Sequence, residues 1–138
     1  MRPRLAQREL ALACVALVAA VVVVAINASR HKAPASTLPR AIGSYTALAG
    51  DAGPEIYGRH SSCGETIGPD TVGVAHPTLP CGALIYVTFH GKRVLTQVID
   101  RGPYHGDRQF DLTDALARTL GLSGVQQITW SYAQPTGA

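Results

Sequence analysis

The chain has 138 residues, a length that suits one domain, and 46% of them are hydrophobic. Its net charge of +3 is spread unevenly: residues 1–42 carry six basic side chains and one acidic one, whereas residues 43–138 carry six basic and eight acidic. The basic character belongs to the leading part of the chain. The mildly acidic remainder argues against nucleic acid as a partner.

An uncharged apolar run covers residues 10–26 and follows three arginines. Such a run is typical of a secretory signal or of a single membrane-anchoring helix, and the residues that follow it do not decide between the two. We expect residues 1–28 to form this hydrophobic helix and the rest of the chain to be exported. Residues 29–42, with two prolines and several alanines, predict a short linker.

Short runs of β-forming residues, separated by glycine and proline, predict strands within a domain at residues 43–134. We expect six strands, and a loop over residues 49–62. One helix should begin after Thr113 as N-cap, with Asp114 in its first turn, and end at Gly121. This order indicates a mainly β fold, a small barrel with one short helix, and leaves residues 135–138 as a tail. The predicted strands are residues 43–48, 72–75, 83–89, 92–99, 110–112 and 125–132.

Two cysteines remain for the domain once Cys14 is assigned to the apolar run. Cys63 and Cys81 form a lone pair in a small exported domain, which suggests a disulfide; the alternative is two free, buried thiols. Closing a loop of this size would stabilise the fold by roughly 3 kcal/mol in the chain-entropy account.

Two aspartates flank a rigid glycine–proline loop. Asp100 ends the fourth predicted strand, and Asp111 lies in the fifth. Because Asp is depleted in strands, each needs a hydrogen-bonding role or chemistry. Glu65 and His76 complete the candidate acid/base groups. An aspartate that holds a proton in a partly buried cleft can protonate a leaving oxygen, and glycosidic bonds are the common substrate of such sites.

Other chemistries find no support in the sequence. The His and Cys spacings suit no metal, and we find neither a serine nucleophile elbow nor a phosphate loop. We therefore expect neither a metal nor another cofactor.

Four segments, in this order and spacing, resemble the rare lipoprotein A (RlpA) family: SCGE at 62–65, VAHPTLPCG at 74–82, VIDRGPY at 98–104 and DLT at 111–113. The paired cysteines resemble the variant found in Gram-positive actinobacteria. The resemblance covers about residues 58–130 and implies a six-stranded double-psi β-barrel, a fold shared with expansins and some lytic transglycosylases. Characterised members of the family cleave peptidoglycan glycan strands without water and leave a 1,6-anhydro-muramyl end.

The resemblance also implies roles for single residues. Asp100 would be the acid/base group, and His76 would position substrate or tune Asp100. Glu65 matches an acidic position of the family, and Asp111 matches an expansin aspartate needed for wall loosening. For each carboxylate the alternative is a structural role, such as accepting backbone N–H groups of the loop, and for His76 the alternative is an imidazole that anchors its own loop.

Three further side chains are candidate substrate contacts. Tyr104 and Tyr57 are candidates for stacking on sugar rings, and the alternative is a pair of half-buried tyrosines without a ligand. Arg101 is expected to balance the acidic pair. The chain departs from the family at its first strand, where Ser-Trp-Tyr-Gly is replaced by SYTA at 44–47, and at Gly68, where some members carry a second acid.

The expected partner is the peptidoglycan glycan strand, met outside the cytoplasm by a monomer that is either secreted to the cell wall or tethered to the membrane by residues 1–28. Two other functions stay open. One is a non-catalytic, expansin-like wall-binding module. The other is an envelope protein-interaction domain in which the carboxylates are purely structural.

Overall fold

The computed structural model describes residues 37–136. The predicted hydrophobic helix at residues 1–28, most of the predicted linker and the last two residues of the predicted tail lie outside this range. Between residues 37 and 136, no helix is long and apolar enough to cross a bilayer.

The structure contains six strands, one α-helix and one 3₁₀ turn between residues 37 and 136. These elements are β1 Arg40–Asp51, a 3₁₀ turn Pro54–Ile56, β2 Val74–Ala75, β3 Leu84–Phe89, β4 Lys92–Asp100, β5 Phe110–Leu112, α1 Asp114–Leu120 and β6 Val125–Gln134. The strands close into a barrel in the order β1-β5-β2-β4-β3-β6. The β1–β5 and β2–β4 pairs are parallel, and the other pairs are antiparallel. The predicted mainly β barrel with one short helix is confirmed.

The first strand is longer than its sequence predicts. β1 has 12 residues and begins at Arg40, opposite Gln134 of β6. Its last residues, 49–51, pair with β5, although the glycine at 50 makes them resemble a loop. The ladder partners on both sides, rather than local propensity, set the ends of this strand. The second strand is shorter than predicted, because only Val74 and Ala75 find pairing partners.

The helix after β5 begins and ends where predicted, but its N-cap works differently. Gly121 adopts the left-handed conformation, with φ of 76°, and stops the helix. Thr113 occupies the N-cap position, yet its hydroxyl accepts a hydrogen bond from the Gly73 N–H at 3.1 Å and makes none to the helix. The threonine therefore ties α1 to the loop that leads into β2.

The buried side chains form two clusters. The larger fills the barrel and includes Val98, Phe110 and Leu112, all fully buried. The smaller consists of Ala52, Ile56, Ile67 and Ile99, with Tyr104 packed against it. This second cluster lies under the loops that follow β1 and β4, so those loops rest on packed side chains.

Candidate active site around Asp100

Asp100 is the last residue of β4 and is only 5% exposed. Its Oδ1 accepts hydrogen bonds from the Ser62 N–H at 2.7 Å and the Arg101 N–H at 2.8 Å, and its Oδ2 accepts one from the Tyr104 hydroxyl. Within residues 37–136 it forms no ion pair. The carboxylate is therefore buried among neutral donors.

These donors decide the charge of Asp100. Burial alone would raise its pKa, but the hydrogen bonds from Tyr104, Ser62 and Arg101 outweigh it and hold the pKa below its ordinary value. Burial, together with the hydrogen bond to Asp100, raises the pKa of Tyr104 far above its ordinary value. At neutral pH the site therefore contains a carboxylate with a protonated tyrosine as its donor.

Asp111 lies on β5 and is 1% exposed. Its Oδ1 forms an ion pair with the Arg108 guanidinium, and its Oδ2 accepts the Tyr104 N–H. Gly102 approaches closely: a Cβ there would lie 2.9 Å from the Ala75 Cβ and 3.2 Å from the Asp111 Oδ2. Both oxygens of Asp111 thus anchor the loop between β4 and β5.

His76 follows β2, and its backbone N–H donates to the Asp100 carbonyl at 3.1 Å. The ring Nδ1 accepts the Thr78 and Leu79 N–H groups at 3.2 and 3.1 Å, so in the neutral ring the proton resides on Nε2. Burial, and secondarily the charge of Arg101, lowers the pKa of His76. At neutral pH the His76 ring is therefore neutral, with its proton on Nε2.

Arg101 does not pair with the acidic residues as the sequence suggested. Its Nη1 donates to the carbonyls of His76 and Leu79, at 3.3 and 2.6 Å. Arg108 takes the acidic partner instead. Arg101 thus braces the loop that carries His76.

Glu65 lies at the rim of the site. It belongs to the turn that supplies the Ser62 N–H to Asp100, and its exposed carboxylate accepts a 3.2 Å hydrogen bond from Gln97. The predicted disulfide between Cys63 and Cys81 is present and ties this turn to the segment before β3.

Tyr57 points elsewhere. Its hydroxyl donates to Asp114 at the start of α1, and this hydrogen bond together with burial raises the pKa of Tyr57. Arg118 also contacts Asp114 and donates to the Pro69 carbonyl at 3.1 Å. The structure gives Tyr57 a contact with the helix and none with Asp100.

An aromatic cluster was missed by the sequence reasoning. Trp130 has its ring centroid 4.8 Å from Tyr45, 5.2 Å from Tyr132 and 6.5 Å from His76. Tyr45 is 46% exposed and Tyr132 is 39% exposed. Gly43, with φ of +75°, makes room for Tyr45, since a Cβ there would lie 2.6 Å from its ring. The signal available in the sequence was the alternation of aromatic residues at 130 and 132.

No group of three or more His, Cys, Asp or Glu residues that could hold a metal ion occurs in the part of the chain that the structure describes.

The fold and the site together define the class: a closed six-stranded β-barrel with a buried aspartate at the end of one strand. A family model described as lytic transglycolase matches residues 50–131, and the chain belongs to this family as an RlpA-like double-psi β-barrel.

Individual relatives carry names that agree with this family assignment. A protein from Synechocystis named probable endolytic peptidoglycan transglycosylase RlpA is 35% identical over 124 residues, which cover 87% of this chain and 37% of the relative. The endolytic peptidoglycan transglycosylase RlpA of Yersinia pestis is 38% identical over 87 residues, 62% of this chain and 24% of that protein. The chain thus spans well under half the length of these curated relatives.

Among solved structures, the apo expansin of Clavibacter michiganensis matches with a TM-score of 0.54 and 21% identity, over 69% of this chain and 53% of that one. At this identity the likeness shows the fold.

Proposed function

We propose that this barrel cleaves the glycan strands of peptidoglycan as a lytic transglycosylase, with Asp100 as its acid/base group. The observation that carries the proposal is the surroundings of the Asp100 carboxylate. The carboxylate is buried and has no cation paired with it among residues 37–136. Its Oδ2 accepts a single hydrogen bond, from the Tyr104 hydroxyl. Membership of the lytic transglycolase family and the names of the relatives support the same reaction.

The reaction uses Asp100 twice. In its protonated form Asp100 gives a proton to the oxygen that bridges two sugars, and the bond from that oxygen to the anomeric carbon breaks. The sugar that carries this anomeric carbon is a muramyl residue. Its own 6-hydroxyl oxygen then attacks the anomeric carbon, and the hydroxyl proton passes to Asp100. One proton leaves and one returns, and no water is consumed.

The resting charge of Asp100 sets a pH requirement. Since its pKa lies below the ordinary value, most molecules at neutral pH hold the carboxylate and must gain a proton before turnover. The rate should therefore rise as pH falls toward the pKa of Asp100. His76 would offer its Nε2–H to a substrate hydroxyl or acetamido oxygen, and Glu65 would contact the strand at the rim.

The substrate places the reaction outside the cytoplasm. We propose that the predicted leader exports the domain, either to be cleaved off or to remain as a tether, and that the barrel acts as a monomer. Asp111 would support the loop, and Arg101 would hold His76 in place.

One observation favours a second function, a non-catalytic wall-binding module. The exposed rings of Tyr45 and Tyr132 lie beside Trp130, and aromatic faces of this kind suit stacking on sugar rings. Such a module would bind glycan through these rings without breaking it.

Digestion of purified sacculi with the full-length chain separates the two. Release of anhydro-muramyl fragments by the wild type, and none by Asp100→Asn, is the result we expect. If both proteins pellet with sacculi and neither releases fragments, the protein is a wall-binding module and not an enzyme. If the wild type neither releases fragments nor pellets with sacculi, both functions are rejected.

A further inference from the structure

Arg59 lies on the loop between the 3₁₀ turn and β2, and its backbone is fixed. Its N–H donates to the Ile56 carbonyl at 3.2 Å, and its own carbonyl accepts the Ile67 N–H at 3.0 Å. Ile56 and Ile67 belong to the smaller buried cluster. Arg59 itself is exposed, so a packed support presents its side chain to solvent.

The side chain of Arg59 reaches the candidate active site through one aromatic ring. Its guanidinium carbon lies 5.0 Å from the centroid of the Tyr104 ring, a cation–π distance. The hydroxyl of the same ring donates to Asp100. The guanidinium is therefore separated from the candidate acid/base group by a single tyrosine.

The other arginines near the site already have partners. Arg108 is paired with Asp111, and Arg101 donates to two backbone carbonyls. Among residues 37–136, the Arg59 side chain has the Tyr104 ring as a contact and no carboxylate or carbonyl acceptor. Its five N–H donors, in a planar fork that matches a carboxylate, remain available to a ligand.

We propose that Arg59 binds a carboxylate carried by the glycan substrate and thereby sets which strands the site accepts. The inference rests on the proposed function, because it places a glycan strand beside Asp100. Two sources share this chemistry: the lactyl carboxylate of a muramyl residue that has lost its peptide, and a carboxylate of the stem peptide. The alternative is that Arg59 only packs over Tyr104.

The test measures binding in the full-length Asp100→Asn protein, so that no strand is cut. Three ligands are compared: glycan strands with stem peptides, strands stripped of peptides to free the lactyl carboxylate, and stripped strands whose lactyl carboxylates are methylamidated. Adding Arg59→Gln should weaken binding to at least one of the two unmodified ligands by about 5-fold, the upper range for an exposed ion pair. Binding to the amidated strands should not change.

The ligand for which binding affinity falls identifies the source of the carboxylate. Loss on stripped strands alone assigns the lactyl group, loss on peptide-bearing strands alone assigns the stem, and loss on both assigns carboxylates of both kinds. Arg93→Gln is the matched control, because Arg93 lies 4.7 Å from the Tyr86 ring in a similar cation–π contact on the β3–β4 hairpin. It should leave every affinity unchanged.

Equal affinities with and without Arg59→Gln, or the same loss on all three ligands, would overturn the role of Arg59 while leaving the proposed function standing. Failure of the Asp100→Asn parent to bind any strand would instead reject the proposed function, and this inference with it. A melting temperature of the Arg59→Gln protein matching that of the parent excludes unfolding as the cause of any loss.

Discussion

Asp100 and Asp111 stand at the two ends of one loop, on β4 and β5, and both are buried. Asp111 is paired with a cation, Arg108, and uses its second oxygen to hold the Tyr104 N–H. Asp100 is held by two backbone N–H groups and the Tyr104 hydroxyl, none of them charged.

The difference separates two kinds of buried carboxylate. A buried ion pair with both oxygens occupied fixes a loop, and removing one partner leaves a charge without compensation. Neutral donors stabilise the charged form of a buried carboxylate at neutral pH. Such a carboxylate can nevertheless take up a proton without breaking an ion pair. We infer that Asp111 shapes the site and that Asp100 performs its chemistry.

The largest effect should come from Asp100→Asn. An amide of the same shape cannot exchange a proton with the bridging oxygen, so the rate of glycan cleavage should fall about 100- to 10,000-fold, the usual contribution of general acid/base catalysis. The rate of fragment release from purified strands measures it. The matched control is Asp107→Asn, an exposed carboxylate on the same loop, which should keep the wild-type rate. If Asp100→Asn lowers the cleavage rate by less than tenfold, Asp100 does not perform the chemistry and the contrast with Asp111 fails.

Asp111→Asn should act mainly on stability. It leaves the Arg108 guanidinium, 8% exposed, without its charged partner, and the free energy of unfolding should fall by about 3–5 kcal/mol. Urea denaturation followed by circular dichroism measures this. Arg118→Gln removes an exposed ion pair, with the arginine side chain 57% exposed, and should cost much less than Asp111→Asn because solvent screens the two charges. If the two variants cost the same, Asp111 is not the anchor that its contacts suggest.

Replacing Cys63 and Cys81 by serine should lower the free energy of unfolding by about 3 kcal/mol. Because the bridge ties down the turn that donates the Ser62 N–H to Asp100, the cleavage rate should also fall. Denaturation and cleavage assays with and without a reductant give both quantities for the wild type. The reduced wild type and the double serine variant should behave alike; unchanged cleavage in both would show that this turn does not support Asp100.

The smallest effect should come from Tyr104→Phe. Loss of the hydroxyl removes a hydrogen bond that lowers the pKa of Asp100, so that pKa should rise. More enzyme then carries the proton needed for cleavage, and the alkaline limb of kcat/KM against pH should move to higher pH. A limb that stays in place, or moves to lower pH, would mean that the profile does not report Asp100.

The same hydrogen bond has a consequence for acid stability. The pKa of Asp100 is lower in the folded state than the ordinary aspartate value of about 3.9, so its stabilising contribution is present above that pH and is lost as pH falls. The stability difference between wild type and Tyr104→Phe should therefore shrink on acidification. Thermal unfolding at a series of pH values measures it.

Much of the fold was accessible to sequence reasoning because its signals are local. Alternating β-formers and turn residues marked six strands, and Gly121 marked the end of the helix. The disulfide followed from a lone pair of cysteines. Asp100 stood out because it interrupts a strand pattern just before a rigid loop.

The rest depends on contacts between distant segments. Tyr45 and Trp130 become neighbours only through the register of β1 on β6. Tyr57 looked available for sugar stacking, but the start of α1 brings Asp114 to its hydroxyl. The choice of Arg108 over Arg101 as partner of Asp111 depends on the path of the loop, which composition does not specify.

The most direct test of the account is digestion of glycan strands in ¹⁸O-labelled water by wild type, Asp100→Asn and Asp111→Asn, with Asp111→Asn held below its melting temperature. The wild type should release anhydro-muramyl ends that carry no label, because the attacking oxygen belongs to the sugar. Asp111→Asn should release the same unlabelled ends, and Asp100→Asn almost none. Labelled reducing ends from the wild type, or unchanged release by Asp100→Asn, would contradict the role assigned to Asp100.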